Sequence, residues 1–180
     1  MKTFFSFLAF WWEILKIVII ALLIVVPIRY FLFQPFIVKG QSMEPNFENG
    51  DYLIIDEISF RFGEPQRGEV IVFRYPYNPS QRYIKRIIGL PGELIEVRDG
   101  RVMVENQVLN EEEYLPAGLA TPGNIRFLLK ENEYFVLGDN RGSSSDSRQW
   151  GPLKQENIIG RVYLRAWPVT SMAKTEAPNY

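Results

Sequence analysis

Residues 93–106, ELIEVRDGRVMVEN, decide the fold class. Two short runs rich in Leu, Ile and Val meet at Asp99-Gly100, and that dipeptide between such runs signals a two-residue β-hairpin. The same texture continues on both sides. YLIID at 52–56, GEVIVFRY at 68–75, RYIKRIIG at 82–89, EYFVLG at 133–138 and RVYLRAW at 161–167 are short apolar or alternating runs. Turn signals separate them; LPGE at 90–93 places Pro and Gly where a type II turn needs them. No long helical pattern intervenes, so the spacing predicts a mainly β fold, an antiparallel barrel or sandwich. No internal repeat is present.

The 180 residues suit one compact domain plus an anchor. Twenty Lys and Arg against 21 Asp and Glu give a net charge of −1, so no basic field exists to hold nucleic acid. With no cysteine there is no thiolate nucleophile, disulfide or Cys-rich zinc site. With no histidine the usual proton shuttle at neutral pH is missing as well. Hydrolytic chemistry must then use Ser, Thr, Asp, Glu, Lys or Tyr, and Ser-His-Asp and Cys-His schemes are excluded. No ligand cluster suggests a metal, and no organic cofactor is implied.

Before the β-like region the chain is almost wholly apolar from Phe4 to Phe36, and its centre, IVIIALLIVVPI, carries no charge. About 20 apolar residues cross a bilayer. A transmembrane helix is expected over about 11–31, with Trp11, Trp12, Tyr30 and Phe31 as interfacial aromatics. Glu13 and Lys16 can pair on one helix face near the end of the span. A cleaved secretory signal would have a short apolar core followed by a small-residue cleavage site, whereas RYFLFQPF follows here. The expected organisation is an anchor at 1–35, a β domain at 36–170 and a polar tail at 171–180. Lys2 before the span and Arg29 and Lys39 after it leave its orientation open.

Three stretches could carry chemistry. In VKGQSMEPNFENGDYLI, 38–54, Ser42 lies at a turn, where Gly40 permits unusual backbone angles and Pro45 stops any helix or ladder. Such a serine is either exposed to a substrate or bonded to its own backbone. In YIKRIIGLPGE, 83–93, Lys85 shares a strand face with Tyr83 and Ile87 while Ile84 and Ile88 point the other way. A lysine so flanked is either a partly buried base with a lowered pKa or an edge-strand lysine that deters aggregation. In GDNRGSSSDSRQWG, 138–151, Asp139, Arg141, Asp146 and Arg148 alternate in sign. The loop is either flexible and polar or stiffened by charge pairs that could support a catalytic site.

An apolar first segment followed by these three boxes in this order resembles the bacterial type I signal peptidases, membrane-bound serine proteases that remove signal peptides from exported proteins. The likeness covers nearly the whole chain. It implies an antiparallel β catalytic domain in which Ser42 is the nucleophile and Lys85 the general base, working through an acyl-enzyme. The family's oxyanion hole uses the backbone N–H of the serine and, in some members, a serine hydroxyl two positions earlier, where this chain has Gly40. Ser144 resembles the residue that bonds the lysine, with Ser143 and Ser145 as alternatives. Asp146 with Arg148 resembles its supporting ion pair, and Asp139, Asn140 and Arg86 fall in the same boxes.

The resemblance further implies cleavage after small residues of the Ala-x-Ala type, in pockets lined by Phe36, Val38, Met43, Phe47, Tyr83 and Ile84. The implied partners are signal peptides of exported preproteins and the lipid bilayer. The implied location is the cytoplasmic (inner) membrane, crossed once, with the catalytic domain on the extracytoplasmic side. Phe60 and Phe62 would then be free to dip into the membrane interface. Two alternatives stand beside this reading: a membrane-tethered β module that only binds a partner, and a signal peptidase dedicated to one substrate such as a pilin precursor. A self-cleaving repressor does not fit, because the apolar first forty residues cannot form a helix-turn-helix.

Overall fold

The computed structural model describes the backbone of residues 2–31, 33–175 and 177–178, and the side chains of 10–25 and of these residues from 35 onward. Helix α1 spans Lys2–Phe31. Among the described residues no helix is long and apolar enough to cross a membrane. The side chains of Tyr30 and Phe31, expected at an interface, lie outside the described ones. From Phe10 to Val25 nearly every apolar side chain is exposed, and Lys16 pairs with Glu13 at 2.7 Å.

The remainder is a two-sheet antiparallel β structure, as the strand spacing predicts. Strands β1 (Phe33–Ile37) and β2 (Tyr52–Asp56) lead to a single helical turn, α2 (Ser59–Phe62). Then follow β3 (Val70–Tyr75), β4 (Asn78–Gly89), β5 (Leu94–Arg98), β6 (Arg101–Val104), β7 (Gln107–Val108) and β8 (Ile125–Leu128). The chain finishes with β9 (Glu133–Leu137), a short α3 (Ser147–Trp150), β10 (Leu153–Lys154), β11 (Ile158–Trp167) and β12 (Ala173–Lys174). The large sheet has the order β1-β2-β11-β3-β4-β9-β10, with β12 added on β11, and the small one the order β7-β6-β5-β8. The Asp99-Gly100 hairpin joins β5 to β6 with positive φ at both residues, 51° and 75°, as a type I′ turn demands.

The sequence runs map onto β2, β3, β4, β5, β6, β9 and β11. Sheet structure begins earlier than those runs suggest, because β1 pairs with β2 from Phe33 onward, and Pro35 is tolerated there since β1 is an edge strand.

Alternation sorts the apolar side chains of β3 and β4 onto two faces. Val70, Val72 and Ile84 enter one buried cluster with Val38, Met43, Phe47, Leu53, Ile55 and Val162. Ile71, Phe73 and Ile87 enter a second with Tyr134, Val136, Trp150 and Leu153. A third, under the small sheet, holds Ile88, Ile95, Val97, Val102 and Phe135. Phe60 of α2 packs on the second cluster, so the expectation that both phenylalanines are free holds for Phe62 alone, which is 89% exposed. One row of facing residues crosses the large sheet through Phe33, Asp56, Arg161, Ile71 and Lys85. The strand leaving α1 and the strand carrying Lys85 are thus fixed at one level.

Candidate active site

Ser42 sits on the 38–51 connection between β1 and β2, and the connection is held on every side. Val38 N–H donates to Asp51 O, and Gly50 N–H to Val38 O, closing its base at 2.9 Å each. Phe47 N–H donates to Met43 O, and Met43 and Phe47 are buried beneath, so the turn is nailed to the core by its own apolar residues. From the far side, Asn140 N–H donates to Ser42 O at 3.1 Å and Asn140 Nδ2 to Gln41 O at 3.0 Å. The loop at 138–148 therefore grips the serine's own backbone.

Lys85 comes from the middle of β4. Its Nζ donates to Ser42 Oγ at 2.7 Å and to Ile84 O at 2.8 Å, and lies 5.5 Å from the centre of the Tyr83 ring. The residue is 3% exposed. Burial withdraws water from the ammonium and pushes its pKa from 10.5 down to about 8, against a weaker upward pull from Asp146 and Asp139. The partly buried reading of this lysine therefore prevails over the exposed edge-strand one.

Both acids are fully buried and each is tied to an arginine. Arg86 meets Asp139 through Nε at 2.9 Å and Nη2 at 2.7 Å, and also donates to Gly68 O. Arg148 meets Asp146 at 2.8 Å twice, while Asp146 accepts from Gly138 N–H and caps α3. Gly138 has no space for a side chain: a Cβ there would collide with Ser144 Oγ and with Ser42 O. Ser144 is buried close by, and its Oγ has no hydrogen-bond partner among the described residues.

Gly40 has φ +93°, a region L side chains rarely adopt, and its N–H donates to Asn49 Oδ1. The N–H of Ser42 donates to no acceptor among the described residues. Of the six residues placed in pockets by resemblance, Val38, Met43, Phe47 and Ile84 lie together in the first apolar cluster with Phe36 against it. Tyr83 packs on the opposite cluster.

Sequence reasoning missed a strap at 111–121. Arg141, fully buried, donates to both Glu111 carboxylate oxygens, to Thr121 Oγ1 and to Gly138 O. The Tyr114 ring lies 4.2 Å from the Arg86 guanidinium carbon, and Asn46 Nδ2 donates to both Tyr114 O and Asp139 Oδ2 at 2.8 Å. The strap thereby links the serine turn to the Asp139 loop. Its only trace in the sequence is the acidic run at 111–113 beside an aromatic.

A hydroxyl in contact with a buried, neutralisable amine on a β scaffold without histidine fits the serine peptidases. The family model described as signal peptidase, peptidase S26, matches residues 11–167. A probable signal peptidase I of Synechocystis sp. is 36% identical over 170 residues, covering 88% of this chain and 86% of that protein. The signal peptidase I of Bacillus caldolyticus is 35% identical over 166 residues, covering 86% and 90%. A crystal structure of a signal peptidase I from Enterococcus faecalis is 34% identical, covers 56% of this chain and 97% of that one, and superposes with a TM-score of 0.48. The chain belongs to the peptidase S26 signal peptidase family and is a serine endopeptidase.

Proposed function

We propose that this endopeptidase cleaves signal peptides from exported preproteins after small residues of the Ala-x-Ala type, with Ser42 as nucleophile and Lys85 as general base. The observation that carries the proposal is the 2.7 Å contact between Lys85 Nζ and Ser42 Oγ at a lysine whose burial brings its pKa to about 8. The neutral amine takes the hydroxyl proton as Oγ attacks the scissile carbonyl, and the resulting ammonium returns it to the departing amine. Water, deprotonated by the same amine, then opens the acyl-enzyme.

The developing oxyanion is received by the N–H of Ser42, which is not engaged elsewhere. Gly40 offers neither a hydroxyl nor a free N–H, since its N–H is held by Asn49. Arg86, Asp139, Asn140, Asp146 and Arg148 hold the two reacting groups in place, and Ser144 is buried against Gly138. Phe36, Val38, Ile84 and Tyr83 bound the ground beside Ser42 on which small side chains would rest, with Met43 and Phe47 as its floor. Helix α1, apolar and exposed from Phe10 to Val25, is the membrane tether, with the β domain on the extracytoplasmic side.

The test is cleavage of a purified preprotein bearing an Ala-x-Ala site, in detergent, by the wild type, Ser42→Ala and Lys85→Met. Loss of product in both folded variants is expected. Cleavage surviving in either removes that residue from its role, and an inert wild type would favour a tethered binding module.

A further inference from the structure

The serine turn meets the rest of the molecule at a residue to which the sequence boxes give no role. Asn46 lies four residues after Ser42 and is half-buried. Its carbonyl accepts from Arg165 Nη1 on β11 at 3.0 Å. Its Nδ2 donates at 2.8 Å to Tyr114 O on the strap and at 2.8 Å to Asp139 Oδ2. Both partners are acceptors that only the amide nitrogen can serve, so the carboxamide has one orientation. Met43 and Phe47 account for the attachment of the turn to the core. They do not account for a carboxamide at 46 whose donors are spent on partners 68 and 93 residues away.

Asp139 is the junction. Its buried carboxylate takes Arg86 Nε and Nη2, and Arg86 follows Lys85 on β4. Asn46 shares with Arg86 Nη2 a single oxygen, Oδ2. The next residue of the loop, Asn140, holds the turn at its other end, through Ser42 O and Gln41 O. The turn is therefore fastened to one loop at two places, 41–42 and 46. One fastening would let it swing; two fix its tilt against the strand that carries Lys85. Arg165 backs the second fastening, since its Nη2 pairs with Asp51 Oδ1 at 2.9 Å while Asp51 Oδ2 accepts from Glu48 N–H.

We propose that Asn46 is a positioning residue for the reaction, setting through Asp139 and Arg86 the distance and angle at which Lys85 Nζ meets Ser42 Oγ. The proposal rests on the reading of those two groups as base and nucleophile. Asn46 itself touches no reacting atom. Two consequences distinguish it from a residue that only stabilises the fold. Its loss lets the serine turn shift against β4, and a reacting group misplaced by about 1 Å costs on the order of 10²-fold in rate. Its loss also takes one of the three donors that the Asp139 carboxylate has among the described residues. Asp139 then pulls harder on the Lys85 ammonium, while Asp146 with its Arg148 and the Tyr83 ring, the other groups facing Lys85, keep their places.

The full chain in detergent is assayed on a soluble peptide substrate across pH as wild type, Asn46→Leu and Asn46→Asp. Leucine is close in size to asparagine and donates nothing; aspartate keeps the shape and sets a second carboxylate against Asp139. In both, kcat above the inflection should fall about tenfold or more while KM holds within about twofold. The alkaline inflection of kcat/KM should move above pH 8, further for aspartate, each unit of rise costing about tenfold at pH 7. Added to Asp139→Asn, Asn46→Leu should lower kcat far less than it does alone, because the path it acts through is already cut. A folded leucine variant with the kcat and inflection of the wild type overturns the proposal. So do a loss confined to KM or to thermal unfolding, and losses that simply multiply in the double variant. Should the leucine variant not fold, Asn46→Asp is read by the same criteria. Ser42→Ala and Lys85→Met test the reading beneath. Activity surviving in either removes the dyad, whereas their inactivity beside an unaffected Asn46→Leu removes Asn46 alone.

Discussion

The lowered pKa of Lys85 makes two linked quantities measurable. With a pKa of about 8 the amine is neutral in about one molecule in eleven at pH 7, against roughly one in three thousand at 10.5, a difference of about 300-fold. The value of kcat/KM on a soluble peptide substrate should therefore rise about tenfold from pH 7 to 9 and level off above. The same burial penalises the fold. Between pH 8 and 10.5 the unfolded chain holds a proton that the folded lysine has lost, so stability rises with pH across that window and the whole penalty is present below it. At about 1.36 kcal/mol per pH unit the penalty is about 3 kcal/mol. Lys85→Met removes it but takes donors from the Ile84 carbonyl and from Ser42 Oγ, worth about 1 kcal/mol each. The methionine variant should be more stable than the wild type by about 1 kcal/mol at pH 7, with the gain shrinking toward pH 10.5. Urea unfolding followed by near-ultraviolet circular dichroism in detergent measures it. A rate inflection at pH 10 or above, or a methionine variant less stable at pH 7, would refute the reasoning.

Gly138→Ala places a methyl against Ser42 O and Ser144 Oγ, and should cost more than about 2 kcal/mol by thermal unfolding and most of the activity. Gly40→Ser, which looks like restoring a second oxyanion donor, should lower kcat, because φ +93° strains any side chain by about 1 kcal/mol or more; a raised kcat would show the strain is absorbed. Tyr114→Phe removes only the hydroxyl that donates to Glu111 and should cost about 1 kcal/mol, whereas Tyr114→Ala should also lower kcat by uncovering Arg86; equal losses in unfolding and turnover assays would deny the ring that role. Arg148→Gln leaves Asp146 without its cation and should move the alkaline inflection of kcat/KM above pH 8; an inflection that stays or falls in a folded variant counts against the pairing.

The strands were legible where runs of Val, Ile and Leu stand between turn residues, because burial on one or both faces leaves that texture in the sequence. Strand β1 was not, since FQPFI continues the apolar segment before it and nothing marks where a helix stops and an edge strand begins. Ser42, Lys85 and the 138–148 loop were legible as local boxes. The Glu111–Arg141 pair joins residues 30 apart, and the Asn46–Tyr114 bond residues 68 apart, so no local spacing announces either. Chain topology alone brings them together. Which residues of the serine turn are buried is likewise a matter of packing: Met43 and Phe47 look surface-like in a turn of Glu, Pro and Asn, yet they are what pins that turn to the core.

Two carboxylates close enough to pull on Lys85 would ordinarily keep its ammonium charged. Here each is neutralised by a guanidinium: Asp139 by Arg86 and Asp146 by Arg148, with side chains no more than 8% exposed. Removing either arginine would leave a buried charge alone, which is costly, whereas with the pairs intact the upward pull of the two acids on Lys85 is weaker than its desolvation. Desolvation is then the larger influence, and the pKa of the amine falls to about 8. The same pairs hold the backbone beside Ser42, through Gly138 N–H on Asp146 and Asn46 on Asp139. One set of contacts therefore both holds the backbone beside Ser42 and pairs each acid next to Lys85 with a guanidinium, so two carboxylates are buried there while the lysine's pKa still falls.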